Sequence, residues 1–251
     1  MFSTKKRIVI VGGTSTIAEH CARLWVQEAA VDLTLVGRDK TRMDRVAADL
    51  RVRSRESVIR VREANLVDPS AIDKLVDDIL AAGPIDIVLI AHGSLPEQPI
   101  CQRELARAYE ALNVNAISPA LFAEKFAGYM EKVNHGTLAI IGSVAGDRGR
   151  KSNYVYGAAK GLVARYAQGL QHRLAGTGVK VVLIKPGPTD TPMTASIKAQ
   201  GGSLARPENV AREIVGGIKK AKTVVYAPAK WALIMMVIRH LPRVVFDRLN
   251  I

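Results

Sequence analysis

Residues 7–18 read Arg7-Ile8-Val9-Ile10-Val11-Gly12-Gly13-Thr14-Ser15-Thr16-Ile17-Ala18. A short apolar run ends in two glycines and a cluster of small residues, and a helical pattern then runs from Thr16 to Ala29. An apolar run without alternation suits a strand buried on both faces, as in a parallel sheet. Small residues at a strand-to-helix turn let backbone amides approach a pyrophosphate, and the helix amino terminus adds partial positive charge. Contacts of that kind would come from Gly12, Thr14, Ser15, Thr16 and Ile17. The usual glycine pattern is eroded, because Thr16 and Ala18 stand in the second and third glycine places. The turn by itself therefore reads equally well as structure without a ligand.

Working outward, the strand-then-helix unit repeats. Strands are predicted over 7–11, 32–36, 57–61, 85–91, 137–142, 179–184 and 223–226, and helices over 16–29, 41–53, 70–82, 103–112, 118–133, 155–175 and 207–221. Such alternation gives βαβ units with right-handed crossovers, hence an α/β fold with a doubly wound, seven-stranded, mostly parallel sheet. The 251 residues, 48% of them hydrophobic, fit one domain over 1–227. A basic and apolar tail over 228–251 either belongs to that domain or makes a membrane or oligomer contact. Residues 189–206, with Pro192, Gly201 and Gly202, read as a loop or lid.

Composition narrows the classes. Cys21 and Cys101 are the only cysteines and no His-rich cluster is present, so neither a disulfide framework nor a metal site is expected, and a reducing, cytoplasmic location fits. The amino end carries three basic residues before four apolar ones, Ile8 to Val11, too short a run for a signal peptide. The net charge of +13 is concentrated in part at Arg51, Arg53, Arg55, Arg60 and Arg62 and in part after Lys219. Nucleic acid, an anionic membrane, a phosphorylated small molecule or simple solvation would each suit such a surface. With aromatics at 5%, stacking platforms are few and no nucleic-acid partner is expected.

Chemistry enters with Tyr156 and Lys160, four residues apart in Asn153-Tyr154-Val155-Tyr156-Gly157-Ala158-Ala159-Lys160, and with Ser143, thirteen residues before the tyrosine. On a helix, positions i and i+4 share a face, so an ammonium can sit beside a phenol. At about 4 Å and an effective dielectric near 20 it would lower the phenol pKa by about three units, bringing proton exchange near neutrality. Tyr154 is a built-in control, because its i+4 partner is Ala158. At the end of the second strand, Gly37 and Arg38 leave room for a 2′-phosphate and supply a cation to meet it, which favours NADP over NAD.

With these residues in register, the chain resembles the short-chain dehydrogenase/reductase superfamily along nearly its whole length. The turn at 12–18, Asn115, Ser143, Tyr156, Lys160 and Pro186-Gly187 stand in that family's order and spacing. The resemblance implies a Rossmann fold, a nicotinamide cofactor, a homodimer or homotetramer, and an oxidoreductase acting between carbonyl and alcohol. It implies that Ser143 holds the substrate carbonyl, that Tyr156 transfers the proton, and that Lys160 lowers the tyrosine pKa and binds the nicotinamide ribose. Asn115, rather than Asn113, would hold a relay water. Cofactor contacts are further expected from Asn65, Leu66, Ala91, His92, Gly93, Pro186, Gly187, Thr189 and Thr191. The chain departs from the family where Ile90-Ala91-His92-Gly93 replaces Asn-Asn-Ala-Gly, and His92 reads as a packing residue more than a ligand. Arg148 and Arg150 are expected to border the mouth of the site.

The tail joins an apolar run, Trp231 to Ile238, to Arg239, Arg243 and Arg248. It is far too short to span a bilayer but suits an interfacial helix, and equally a helix that closes the core. With Gly146-Asp147-Arg148 it resembles the subgroup that reduces a keto-sugar on a polyprenyl phosphate, which implies a lipid-linked carbonyl substrate met at the inner face of the membrane. A 3-oxoacyl thioester reductase and a non-catalytic nucleotide-sensing regulator are the alternatives.

Overall fold

The computed structural model describes residues 5–249; residues 1–4, at the basic amino end, and 250–251, at the end of the tail, lie outside it. Seven strands form one sheet: β1 (Lys6–Val11), β2 (Val31–Gly37), β3 (Val58–Glu63), β4 (Ile87–Ile90), β5 (Thr137–Ile141), β6 (Lys180–Pro186) and β7 (Val224–Ala227). Their order is β3-β2-β1-β4-β5-β6-β7, and every pairing among the described strands is parallel, in line with the doubly wound, mostly parallel sheet expected. The order reverses between β1 and β4. That switch point opens a crevice at the carboxyl ends of the strands, where open α/β sheets bind ligands.

The apolar runs are divided between two faces by the period-two alternation of strand side chains. Ile8 and Ile10 enter one core with Leu33, Leu35 and Leu89, beneath α1 (Thr16–Glu28), α2 (Lys40–Arg53) and α9 (Pro207–Lys219). Val9, Val11, Val88 and Ile90 enter the other, beneath α3 (Pro69–Leu80), α6 (Ser118–Val133) and α7 (Tyr154–Arg173), where Phe122 and Phe126 are fully buried.

Two segments differ from the sequence reading. The helix expected at 103–112 is α5 (Leu105–Leu112), and a separate helix that was not expected, α4 (Gln98–Arg103), precedes it with the break at Glu104. Residues Asn113–Ile117, read as a gap, form a π turn that carries α5 straight into α6. One wider turn rotates the chain without ending the helix, and such turns gather at functional sites. The loop after β6 holds a short 3₁₀ turn at Pro192–Thr194 and α8 (Ala195–Ala199). The tail forms α10 (Lys230–His240) and α11 (Arg243–Phe246).

Candidate active site

The Gly12 turn is shaped by crowding. Gly12 has φ of 97°, and a Cβ there would fall 2.5 Å from the His92 amide nitrogen and 2.8 Å from its Cα. The N–H groups of Gly12 and Gly13 both donate to the Val36 carbonyl, at 2.8 and 2.9 Å. The turn is thus drawn against β2 and β4, and only glycine fits at position 12. A cleft of about 650 Å³ lies above it. The cleft is lined by Gly12, Thr14, Ser15, Thr16, Ile17, Arg38, Asn65, Leu66, Ala91, His92, Gly93 and Thr191, all expected from the sequence. Arg42, Tyr109, Glu110 and Met193 also line it and were not foreseen. Arg42 had a local signal: Asp39 caps α2 by accepting the Arg42 backbone N–H at 2.9 Å, which sets this second cation one turn from Arg38.

The rear wall is a polar chain. Ser118 donates to the Leu66 carbonyl, and His92 Nε2 lies 2.7 Å from Ser118 Oγ. Burial, then the nearby Lys160 charge, pull the His92 pKa down to about 3, so the ring is neutral. It packs edge-on to Phe122 at 5.7 Å between centroids.

Ser143, Tyr156, Lys160 and Asn115 come together at the carboxyl ends of β4 and β5. Ser143 leaves β5 and accepts the Ala145 N–H at 3.1 Å, and its hydroxyl is close enough to the Tyr156 phenol to act on its acidity. Lys160 is buried and donates to the Ile141 carbonyl at 3.0 Å, with its ammonium 5.8 Å from the centre of the Tyr156 ring. Asn115, fully buried in the π turn, accepts the Ser94 N–H at 2.9 Å and donates to the Ala111 carbonyl at 2.9 Å. Its carboxamide ties the loop after β4 to the turn. A Cβ on Gly93 would lie 2.7 Å from Asn115 Oδ1 and 3.6 Å from Lys160 Nζ, so Asn115 and Lys160 meet at the backbone of Gly93.

The electrostatics differ from the i+4 argument. Desolvation raises the Tyr156 phenol above its ordinary value, and the Ser143 hydroxyl opposes the rise. Burial pulls Lys160 down from 10.5 to about 8. The lysine and phenol share a helix face as expected, but the ammonium is turned to a backbone carbonyl and is itself a reluctant cation.

The residues after Ser143 act on the tail. Asp147 takes Lys185 Nζ at 2.5 Å and the Tyr226 hydroxyl at 2.7 Å, with the ion-pair side chains only 8% and 3% exposed. Arg148 donates to the carbonyls of Ile238 and Leu241 at 2.6 and 2.8 Å, closing the carboxyl end of α10, and stacks over Phe246 at 3.7 Å. Arg148 is therefore occupied by the tail instead of bordering a mouth. Trp231 presses on Gly187, where a Cβ would collide with the indole nitrogen. Thr189 is buried with its hydroxyl on the Gly187 carbonyl at 2.9 Å; neither it nor Pro186 nor Gly187 lines the cleft.

Residues 6–202 match the family model described as short chain dehydrogenase. The chain belongs to the short-chain dehydrogenases. These are oxidoreductases that use a nicotinamide cofactor, and the crowded Gly12 turn and open cleft fit such a group. This dehydrogenase is 30% identical to an uncharacterized oxidoreductase of Streptomyces coelicolor over 97% of its own length and 96% of the relative's. It is 32% identical to an uncharacterized oxidoreductase of Mycobacterium tuberculosis, over 96% of each. Among solved structures it resembles a short-chain dehydrogenase from Sphingobium yanoikuyae in complex with NADPH, with TM-score 0.82, 22% identity and coverage of 95% and 97%. It also resembles levodione reductase, with TM-score 0.82, 19% identity and coverage of 91% and 98%. No helix among the described residues is long and apolar enough to cross a membrane.

Proposed function

We propose that this dehydrogenase is an NADPH-dependent carbonyl reductase. The observation that carries the proposal is the approach of Asn115 and Lys160 to the backbone at Gly93, which lines the cleft, with the Lys160 ammonium 5.8 Å from the centre of the Tyr156 ring. When bound, the cofactor supplies the hydride that reaches the carbonyl carbon. Ser143 orients and polarises the carbonyl oxygen, and Tyr156 gives that oxygen its proton. A phenol held above its ordinary pKa stays protonated over the working range, which suits a donor in the reductive direction. Lys160, while charged, eases the loss of the phenolic proton. Arg38, exposed at the end of β2, and Arg42 are the cations that would meet a 2′-phosphate, and they favour NADP over NAD.

The finer reading is a lipid-linked keto-sugar. Its support is the tail, where Leu233, Met236, Val237, Val244 and Val245 are exposed and Lys230, Arg239, Arg243 and Arg248 are also exposed around them. Apolar side chains ringed by cations suit the surface of an anionic bilayer. Deleting the tail is a poor test, because Met235 is fully buried and Trp231 is packed on Gly187. Changing Leu233, Met236 and Val237 together to serine leaves that packing in place. The triple variant should lose binding to phosphatidylglycerol vesicles and keep NADPH affinity; unchanged vesicle binding removes the membrane reading. For the reaction itself, Tyr156→Phe should lower reduction of a panel of soluble and lipid-linked ketones by about 10²- to 10⁴-fold with NADPH binding intact. Retained turnover would sink the mechanism, and efficient turnover confined to 3-oxoacyl thioesters would replace the sugar substrate.

A further inference from the structure

Among the described residues four buried side-chain nitrogen or oxygen atoms lack a hydrogen-bond partner, and three of them belong to Gln98, Arg150 and Asn153, whose hydrogen bonds tie them to the first turn of α7 or to the turn that leads into it. Gln98 is 5% exposed; its Oε1 accepts the Val155 N–H at 3.0 Å, which fixes the carboxamide at the first turn of the helix and leaves Nε2 without an acceptor. Asn153 precedes the helix, and its N–H donates to the Arg150 carbonyl at 3.2 Å, closing a turn that brings Arg150 to the same place. Asn153 Oδ1 makes no capping bond, and a half-turn of its carboxamide would present the NH₂ group instead.

Charge points the same way. Arg150 is partly buried, its Nε is enclosed without a partner, and no ion pair to it exists among the described residues. The nearest acid on its own loop, Asp147, is taken by Lys185 and Tyr226, and the first turn of α7 carries no acidic side chain. Arg148, two residues earlier, has found carbonyls and an aromatic ring. Burial lowers the Arg150 pKa from its ordinary value, as expected of a cation with nothing to offset its desolvation. A twenty-residue helix adds positive potential at that end. Uncompensated buried cations are costly, and a ligand anion would complete this one.

We propose that Arg150, Gln98 and the amino end of α7 bind a small anionic group of the substrate, a phosphate or a carboxylate. Tyr156 is the third residue of that helix, so the anion would be held beside the proton donor and the carbonyl presented to it. The proposal rests on the reductase reading for the word substrate, but its test does not use turnover. Protein saturated with NADP⁺, to occupy Arg38 and Arg42, is titrated with inorganic phosphate and separately with acetate, and the arginine side-chain N–H resonances are followed by NMR. The Arg150 Nε–H signal, assigned by its loss in Arg150→Gln, should shift saturably, and Gln98→Leu should weaken the binding by about tenfold with NADP⁺ affinity unchanged. Tighter phosphate binding assigns a phosphorylated substrate and tighter acetate binding a carboxylated one. A signal unmoved by either anion, or a shift that is the same in Gln98→Leu, overturns the site.

Discussion

The two sides of the crevice are built differently. On the amino-terminal side the rim is made of small residues and backbone: Gly12 and Gly13 lie against β2 and β4, and the cleft is lined there by Thr14, Ser15, Thr16 and the exposed Arg38. On the carboxyl-terminal side it is made of buried charge: Asp147 with Lys185 and Tyr226, and Arg148 with the end of α10 and Phe246. The first side takes its shape from crowding, so its exposed cations are free to meet a ligand. The second takes its shape from ionic contacts, so the cations that looked available in the sequence are spent on structure, and Arg150 is the exception.

Four single substitutions, and one made in combination, sharpen that contrast. Asp147→Ala should have the largest effect, because it strands the Lys185 ammonium in a buried site; a loss of about 3–5 kcal/mol in unfolding free energy is expected by denaturant titration. Pairing it with Lys185→Met should recover most of that loss, and failure to recover would mean that the pair is not the link. Lys160→Met should move stability the other way. A lysine whose pKa falls from 10.5 to about 8 on folding binds fewer protons in the native state, so the penalty of about 3 kcal/mol is full below pH 8 and fades as pH rises toward 10.5. The variant should therefore unfold at higher temperature at pH 7 while losing reductase activity, and the wild-type kcat/KM should decline as pH rises through about 8. Higher stability with full activity would place Lys160 outside the chemistry.

Arg148→Ala removes charged hydrogen bonds that close α10, for about 2 kcal/mol, and should expose the tail to limited proteolysis ahead of the rest of the chain. A tail cut no faster than in the wild type would show that Trp231 and Met235 hold it alone. Arg38→Ala is the smallest in stability, within about 0.5 kcal/mol, but should weaken NADPH binding by about tenfold and leave NADH binding unchanged. Equal weakening of both would remove the basis for NADP preference.

Most of the fold was legible because it is local. The strand and helix alternation, the buried character of β1, β4, β5 and β6, and the α6 boundaries at Ser118 and Val133 follow from residues adjacent in sequence. The break between helices at Glu104 and the π turn at Asn113–Ile117 were not legible, because neither carries a proline or glycine, and the turn is held by Asn115 reaching Ser94, twenty-one residues away. Of the candidate site, Gly12 and residues 14–17 could be read from the turn after β1 and Arg38 from the end of β2, and Asn65, Leu66, residues 91–93 and Thr191 came from the family resemblance, whereas the buried position of Thr189 could not be read.

By itself the sequence determined the α/β architecture, the turn at Gly12 and the spacing of Ser143, Tyr156 and Lys160, all of which depend on short-range pattern. Only the tertiary structure decided which charges remain free. Asp147 pairs across 38 and 79 residues and Arg148 across 90, and such partners are set by strand order and loop packing, which no local pattern specifies. The same holds for the protons: the raised Tyr156 phenol and lowered Lys160 ammonium come from desolvation, and desolvation exists only once the chain has packed around them.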